Sequence, residues 1–105
     1  MGKVVRDGKT AVLYSPGYGA GWVTWNSSLE NATDLVFDSE IVDAVLKGDK
    51  SKALARATEI CPGGFFGGLC DLCVEWISCG SVFEIREYDG YESIHIIGEG
   101  DYFTA

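Results

Sequence analysis

Four cysteines, at positions 61, 70, 73 and 79, have the most direct claim to chemistry in this chain. Cys70-Asp71-Leu72-Cys73 has the spacing of a zinc knuckle, and four thiolates would complete a tetrahedral site. A second C-x-x-C pair is missing, however. Cys70 and Cys73 also border a run with the composition of a core strand, Leu72 to Ile77, where residues three apart face opposite sides. Cys61, Cys70, Cys73 and Cys79 are therefore read as small reduced hydrophobes, with zinc ligation as the competing reading. His95 is the sole histidine. It alternates with Ile94 and Ile96 and so faces away from them, and no nucleophile or carboxylate is placed beside it by spacing alone. No catalytic residue is assigned.

The richer signal is Ser15-Pro16-Gly17-Tyr18-Gly19-Ala20-Gly21-Trp22-Val23-Thr24-Trp25. Its Gly-x-Gly-x-Gly lacks the third-glycine spacing of the dinucleotide fingerprint, the Walker lysine and an immediately following helix. It is not a nucleotide-processing motif. Glycines at 17, 19 and 21 still bare backbone amides and let another molecule approach the main chain. Tyr18, Trp22 and Trp25 offer flat faces for stacking on a base or a protein side chain. A second loop, Cys61 to Gly68, carries Phe65 and Phe66 between paired glycines, and the two loops together suggest a pocket. A phosphate-bearing ligand would also need cations. Of Lys3, Arg6, Lys9, Arg56 and Arg86, the arginines at 56 and 86 lie within regular elements and are the better placed. The expected binding set is Tyr18, Gly19, Gly21, Trp22, Trp25, Phe65, Phe66, Arg56 and Arg86, with no cofactor.

These residues need a scaffold, and the pattern predicts an α+β one. Val4 to Arg6 and Thr10 to Tyr14 flank Asp7-Gly8, the residues of a tight hairpin turn. Polar residues 26–34 continue the connection. A helix is expected from Asp38-Ser39, with Ile41, Val42, Val45 and Leu46 at helical spacing and Gly48 as its stop. A second runs from about Ser51 to Ile60, capped by Asp49 or Ser51. Strands follow over 73–77, 82–88 and 91–97, with Asp89-Gly90 as another hairpin signal and a short strand near 102–104. The expectation is one domain: a mostly antiparallel sheet from the N-terminal hairpin and a C-terminal meander, with a two-helix hairpin between.

Sixteen acidic against eight basic residues leave a net charge of -8. This opposes diffuse binding to nucleic acid or anionic membrane, which need clustered Lys and Arg, and suits a basic protein surface. No run reaches the roughly 20 apolar residues of a membrane span, and the N-terminus is too polar for a signal peptide, so a cytoplasmic address is expected.

The segments Lys3-Val4-Val5-Arg6-Asp7-Gly8-Lys9, Ala11 to Trp22 and Thr24-Trp25-Asn26 resemble a family of small bacteriophage and prophage proteins. The likeness continues through Leu35-Val36-Phe37-Asp38, Gly67-Gly68 before Asp71-Leu72, and Phe83-Glu84-Ile85 before Glu87-Tyr88-Asp89-Gly90. It does not extend to the cysteine set, and the family supplies no activity. What it implies is a phage origin, a setting in which small accessory proteins counter host immunity. The leading expectation is a non-catalytic binder, assembled as a homo-oligomer, that sequesters a nucleotide second messenger, cyclic or ADP-ribose-like. The alternatives are an acidic inhibitor that imitates nucleic acid before a host defence complex, and a small nucleotide-processing enzyme.

Overall fold

The computed structural model describes residues 3–17, 21–88, 91–97 and 103–105. Strands β1 (Val5–Arg6) and β2 (Lys9–Tyr14) form the first hairpin. Asp7 and Gly8 both take positive φ, 52° and 74°, as a two-residue turn must if it is to match the strand twist. The β2 strand then pairs antiparallel with β3 (Cys73–Ser78), from Lys9 opposite Ser78 to Tyr14 opposite Cys73. Strands β4 (Val82–Tyr88), β5 (Tyr91–Ile97) and β6 (Phe103–Thr104) make a second antiparallel sheet with β4 at its centre. The fold is thus α+β, and the expected meander is divided: β3 leaves it to complete the N-terminal sheet. The Asp89-Gly90 turn lies outside the described residues.

Between β2 and β3 come α1 (Asp34–Phe37), α2 (Ser39–Lys47) and α3 (Lys50–Ile60). Asp38 caps α2 by accepting from the Ile41 amide at 3.1 Å, and Gly48 closes it in the left-handed conformation, φ 74°. Asp49 caps α3 through the Lys52 amide. The helical hairpin therefore begins and ends within a residue of the expected positions. Helix α1 was not anticipated, because Leu35-Val36-Phe37 is too short to display a helical period. All three of those side chains are buried.

Alternation along β2 explains how two layers share one strand. Ala11 and Leu13 face a core with Trp22, Leu35, Ile41, Val42, Ala53 and Ala57. Val12 points the other way, into a second core with Val36, Phe37 and Phe83. Covered on both faces, β2 is buried from Thr10 to Leu13. Each large apolar side chain removed from water in these cores contributes about 1.5–3 kcal/mol. No helix among the described residues is long and apolar enough to cross a membrane.

Candidate functional site

The glycine-aromatic segment is held by a residue that its own sequence does not contain. Glu92 of β5 is fully buried. One carboxylate oxygen accepts from the Ser15 amide at 2.9 Å. The other accepts from the Trp22 amide at 2.7 Å, the Thr24 amide at 3.1 Å and the Thr24 hydroxyl at 2.6 Å. The Glu92 amide closes the ring by donating to the Ser15 carbonyl at 2.8 Å. Backbone donors that flank the glycines, the amides of Ser15, Trp22 and Thr24, are thus taken by one internal anion, at both ends of the segment. A signal for this was present. Glu92 is in phase with Ile94 and Ile96 on a two-fold strand, and a carboxylate on an apolar face needs buried donors.

Anchored in this way, the segment sorts its aromatics into buried and exposed. Trp22 has no exposed surface, and its indole N–H donates to the Leu35 carbonyl at 2.7 Å. Phe66 packs on it with ring centroids 5.6 Å apart. Both were expected at a ligand surface; Trp22 is instead a core side chain, with Phe66 its half-buried cover. Trp25 and Phe65 take the outward role, 42% and 48% exposed, with rings 4.8 Å apart and tilted by 32°. The Trp25 indole donates to a Glu87 carboxylate oxygen at 2.9 Å. Asn26, fully buried, fastens the second loop to the first. Its amide donates to the carbonyls of Trp22 and Phe65, and its oxygen accepts from the Phe65 amide, each at 2.7 Å.

The glycines serve internal contact. A Cβ on Gly21 would overlap the Trp25 indole, and one on Gly68 would overlap the Gly21 carbonyl. The loops expected to enclose a pocket are instead pressed against each other at Gly21 and Gly68, too closely for a methyl group. Tyr18 and Gly19 lie outside the described residues. Near the aromatic pair lies a groove of about 270 Å³ lined by Val23, Thr24, Ser27, Ile85 and Phe103. Ile85 and Glu87 lie on the same face of β4, so the groove adjoins Trp25.

Neither favoured arginine reaches this surface. Arg56 is engaged by the buried Asp38, through Nε at 3.2 Å and Nη2 at 3.1 Å, and by Glu40 at 3.0 Å. It ties α3 to the start of α2. Arg86 pairs with Glu84. As neighbours on a strand, Arg86 and Glu87 point to opposite faces, which leaves the guanidinium on the side away from Trp25. His95 shares that outer face, opposite Glu84, with Nε2 3.0 Å from the Ser93 hydroxyl. The charge beside the exposed aromatics is therefore a carboxylate.

The thiols are dispersed. Cys73 and Cys79 bracket β3, about 20 Å apart at strand rise. Cys79 lies against the Thr10 hydroxyl at 3.3 Å, while Cys61 is buried and donates to the Glu30 carbonyl at 3.5 Å. One tetrahedral centre cannot collect all four, and among the described residues no group of three or more Cys, His, Asp or Glu is placed to hold a metal ion. Burial, reinforced by Asp34, pushes the Cys61 thiol above its ordinary range. A neutral-pH assay with an aromatic disulfide reagent should therefore give three fast thiols (Cys70, Cys73 and Cys79) and a fourth released only on unfolding. Four equally fast thiols would contradict the placement of Cys61.

No protein-family model matches the chain, and no curated protein or solved structure proved similar to it.

Proposed function

We propose that this chain is a non-catalytic binding protein whose contact surface is the Trp25–Phe65 pair with its adjoining groove, and that its partner is a basic protein surface. One observation carries the reading: Trp25 and Phe65 form an exposed aromatic contact, and the Trp25 indole is hydrogen-bonded to the Glu87 carboxylate. Exposed paired rings next to a carboxylate favour an arginine or lysine side chain laid across them. A net charge of -8 speeds approach to such a partner and discourages phosphate-bearing ones. In the phage setting implied by the resemblance, the partner is a component of a host defence complex in the bacterial cytoplasm, met by an acidic surface.

Immobilised protein incubated with bacterial lysate tests this. A stoichiometric partner should be retained at low salt and released as salt rises. The double variant Trp25→Ala with Phe65→Ala should retain at least about tenfold less, because buried aromatic anchors carry most of an interface's energy. Equal retention by wild type and variant would remove the surface from consideration.

Nucleotide sequestration is the second reading, and a different place favours it. Arg6, Asp7, Lys9 and Trp76 line an open groove of about 380 Å³, with the Arg6 guanidinium 5.4 Å from the Trp76 ring. Two cations and an indole offer phosphate pairing and base stacking together. Calorimetry against signalling nucleotides separates the readings: binding abolished by Arg6→Ala would reverse their order.

A further inference from the structure

The β5 strand forms one edge of the second sheet. Along its other side, the Glu92 amide bonds to the Ser15 carbonyl. Residues two apart on a strand aim their backbone groups the same way, so the amides and carbonyls of Ile94 and Ile96 also point outward from β4. From Ser93 to Ile97, no described residue outside β4 bonds to this backbone. Such an edge is a template for pairing, and native chains usually blunt it with charges, proline or brevity. Here Ser93-Ile94-His95-Ile96-Ile97 has no acidic, lysine, arginine or proline residue, and Ile96 is 58% exposed. The other edges are treated differently. Strands β1 and β6 are two residues long, and β3 carries Glu75 near its centre.

We propose that β5 pairs antiparallel with β5 of a second copy of this chain, about a two-fold axis at His95, joining two three-stranded sheets into one of six. Self-complementarity selects the occupant, and charge selects the place. Two copies each bearing -8 repel, and Ser93 to Ile97 is a strand edge free of acidic groups along which they can meet. The segment is also self-complementary. With the axis at His95, Ile94 exchanges both backbone hydrogen bonds with the partner's Ile96, and Ile96 does the same with the partner's Ile94. Isoleucine then lies opposite isoleucine on the face that carries Glu92, and only His95 meets its own counterpart. The dimer is built from backbone bonds along the β5 edge and uses neither the groove nor the Trp25–Phe65 rings, so it stands whether or not the binding reading does.

Sedimentation velocity up to about 100 µM decides the matter. The wild-type chain should be a dimer. Ile96→Lys, which puts a charge on the edge and leaves the core untouched, should weaken it at least about tenfold with an unchanged circular dichroism spectrum. Val5→Lys, on the β1 edge, should leave it intact. Register is read by His95→Cys in a chain with Cys70, Cys73 and Cys79 changed to serine. Facing residues at a non-hydrogen-bonded pair sit about 4.5 Å apart at Cα, within disulfide reach, and should cross-link on mild oxidation. A monomer at the highest concentration, or a dimer indifferent to Ile96→Lys, would overturn the proposal. So would a dimer that fails to cross-link at position 95.

Discussion

Glu92→Gln is expected to lower stability by about 3 kcal/mol, and the melting temperature of a domain this size by roughly 10–20 °C. The carboxylate spreads four donors over two oxygens. A carboxamide retains one acceptor and turns an NH2 group toward an amide that also donates. If the NH2 faces Ser15, three bonds survive without the charge that strengthened them; if it faces Trp22 and Thr24, two buried amides lose their acceptor. Either outcome leaves buried donors unpaired, which costs more than the bond itself gained. Urea denaturation should show a lower midpoint with an unchanged slope, and hydrogen exchange at Ser15, Trp22 and Thr24 should quicken first. A loss below about 1 kcal/mol would mean that these contacts do not hold the segment.

The second large effect belongs to a glycine. Gly68→Ala would drive its methyl group into the Gly21 carbonyl and against the Ser15 hydroxyl, which donates to the Gly68 carbonyl at 2.9 Å. Backbone lies on both sides of the collision, so relief requires the two loops to separate. The expected cost is about 2–4 kcal/mol, with loss of whatever binding depends on the Trp25–Phe65 arrangement. Gly67→Ala is the neighbouring control. Its methyl meets only the exposed Phe65 ring, which can swing aside, and stability should change by less than about 1 kcal/mol. Equal effects at the two positions, measured by thermal unfolding, would show that helix propensity in the 3-10 turn over Gly67–Asp71 matters more than the contact between the loops.

What could be read in advance was local. Asp38, Gly48 and Asp49 act on amides and carbonyls within four or five residues, and Asp7-Gly8 bends the chain where it stands, so spacing sufficed to place the helices and the first hairpin. The division of the strands was not local. Nothing in Cys73 to Ser78 names β2 as its neighbour, and β2 carries the near-continuous apolar run of any strand covered on both faces. The candidate site failed in the same physical way. Trp22 and Trp25 are three residues apart with identical side chains, and only the position of Leu35 and Glu87 separates a core indole from a surface one. Arg56 stood correctly in a helix, but Asp38, eighteen residues upstream, claimed its charge.

The reach of the Glu92 contacts bears on how the molecule is made. Ser15, Trp22 and Thr24 leave the ribosome 77, 70 and 68 residues before the acceptor that organises them. A nascent chain extended only through β3 could close the first sheet over the helices, yet the amides of the glycine-aromatic segment would still be bonded to water. Contacts of such long sequence separation slow the closing step of folding. During that interval Trp22 would have no fixed seat, and the segment richest in exposed backbone and indole would be the one most open to chaperones and proteases.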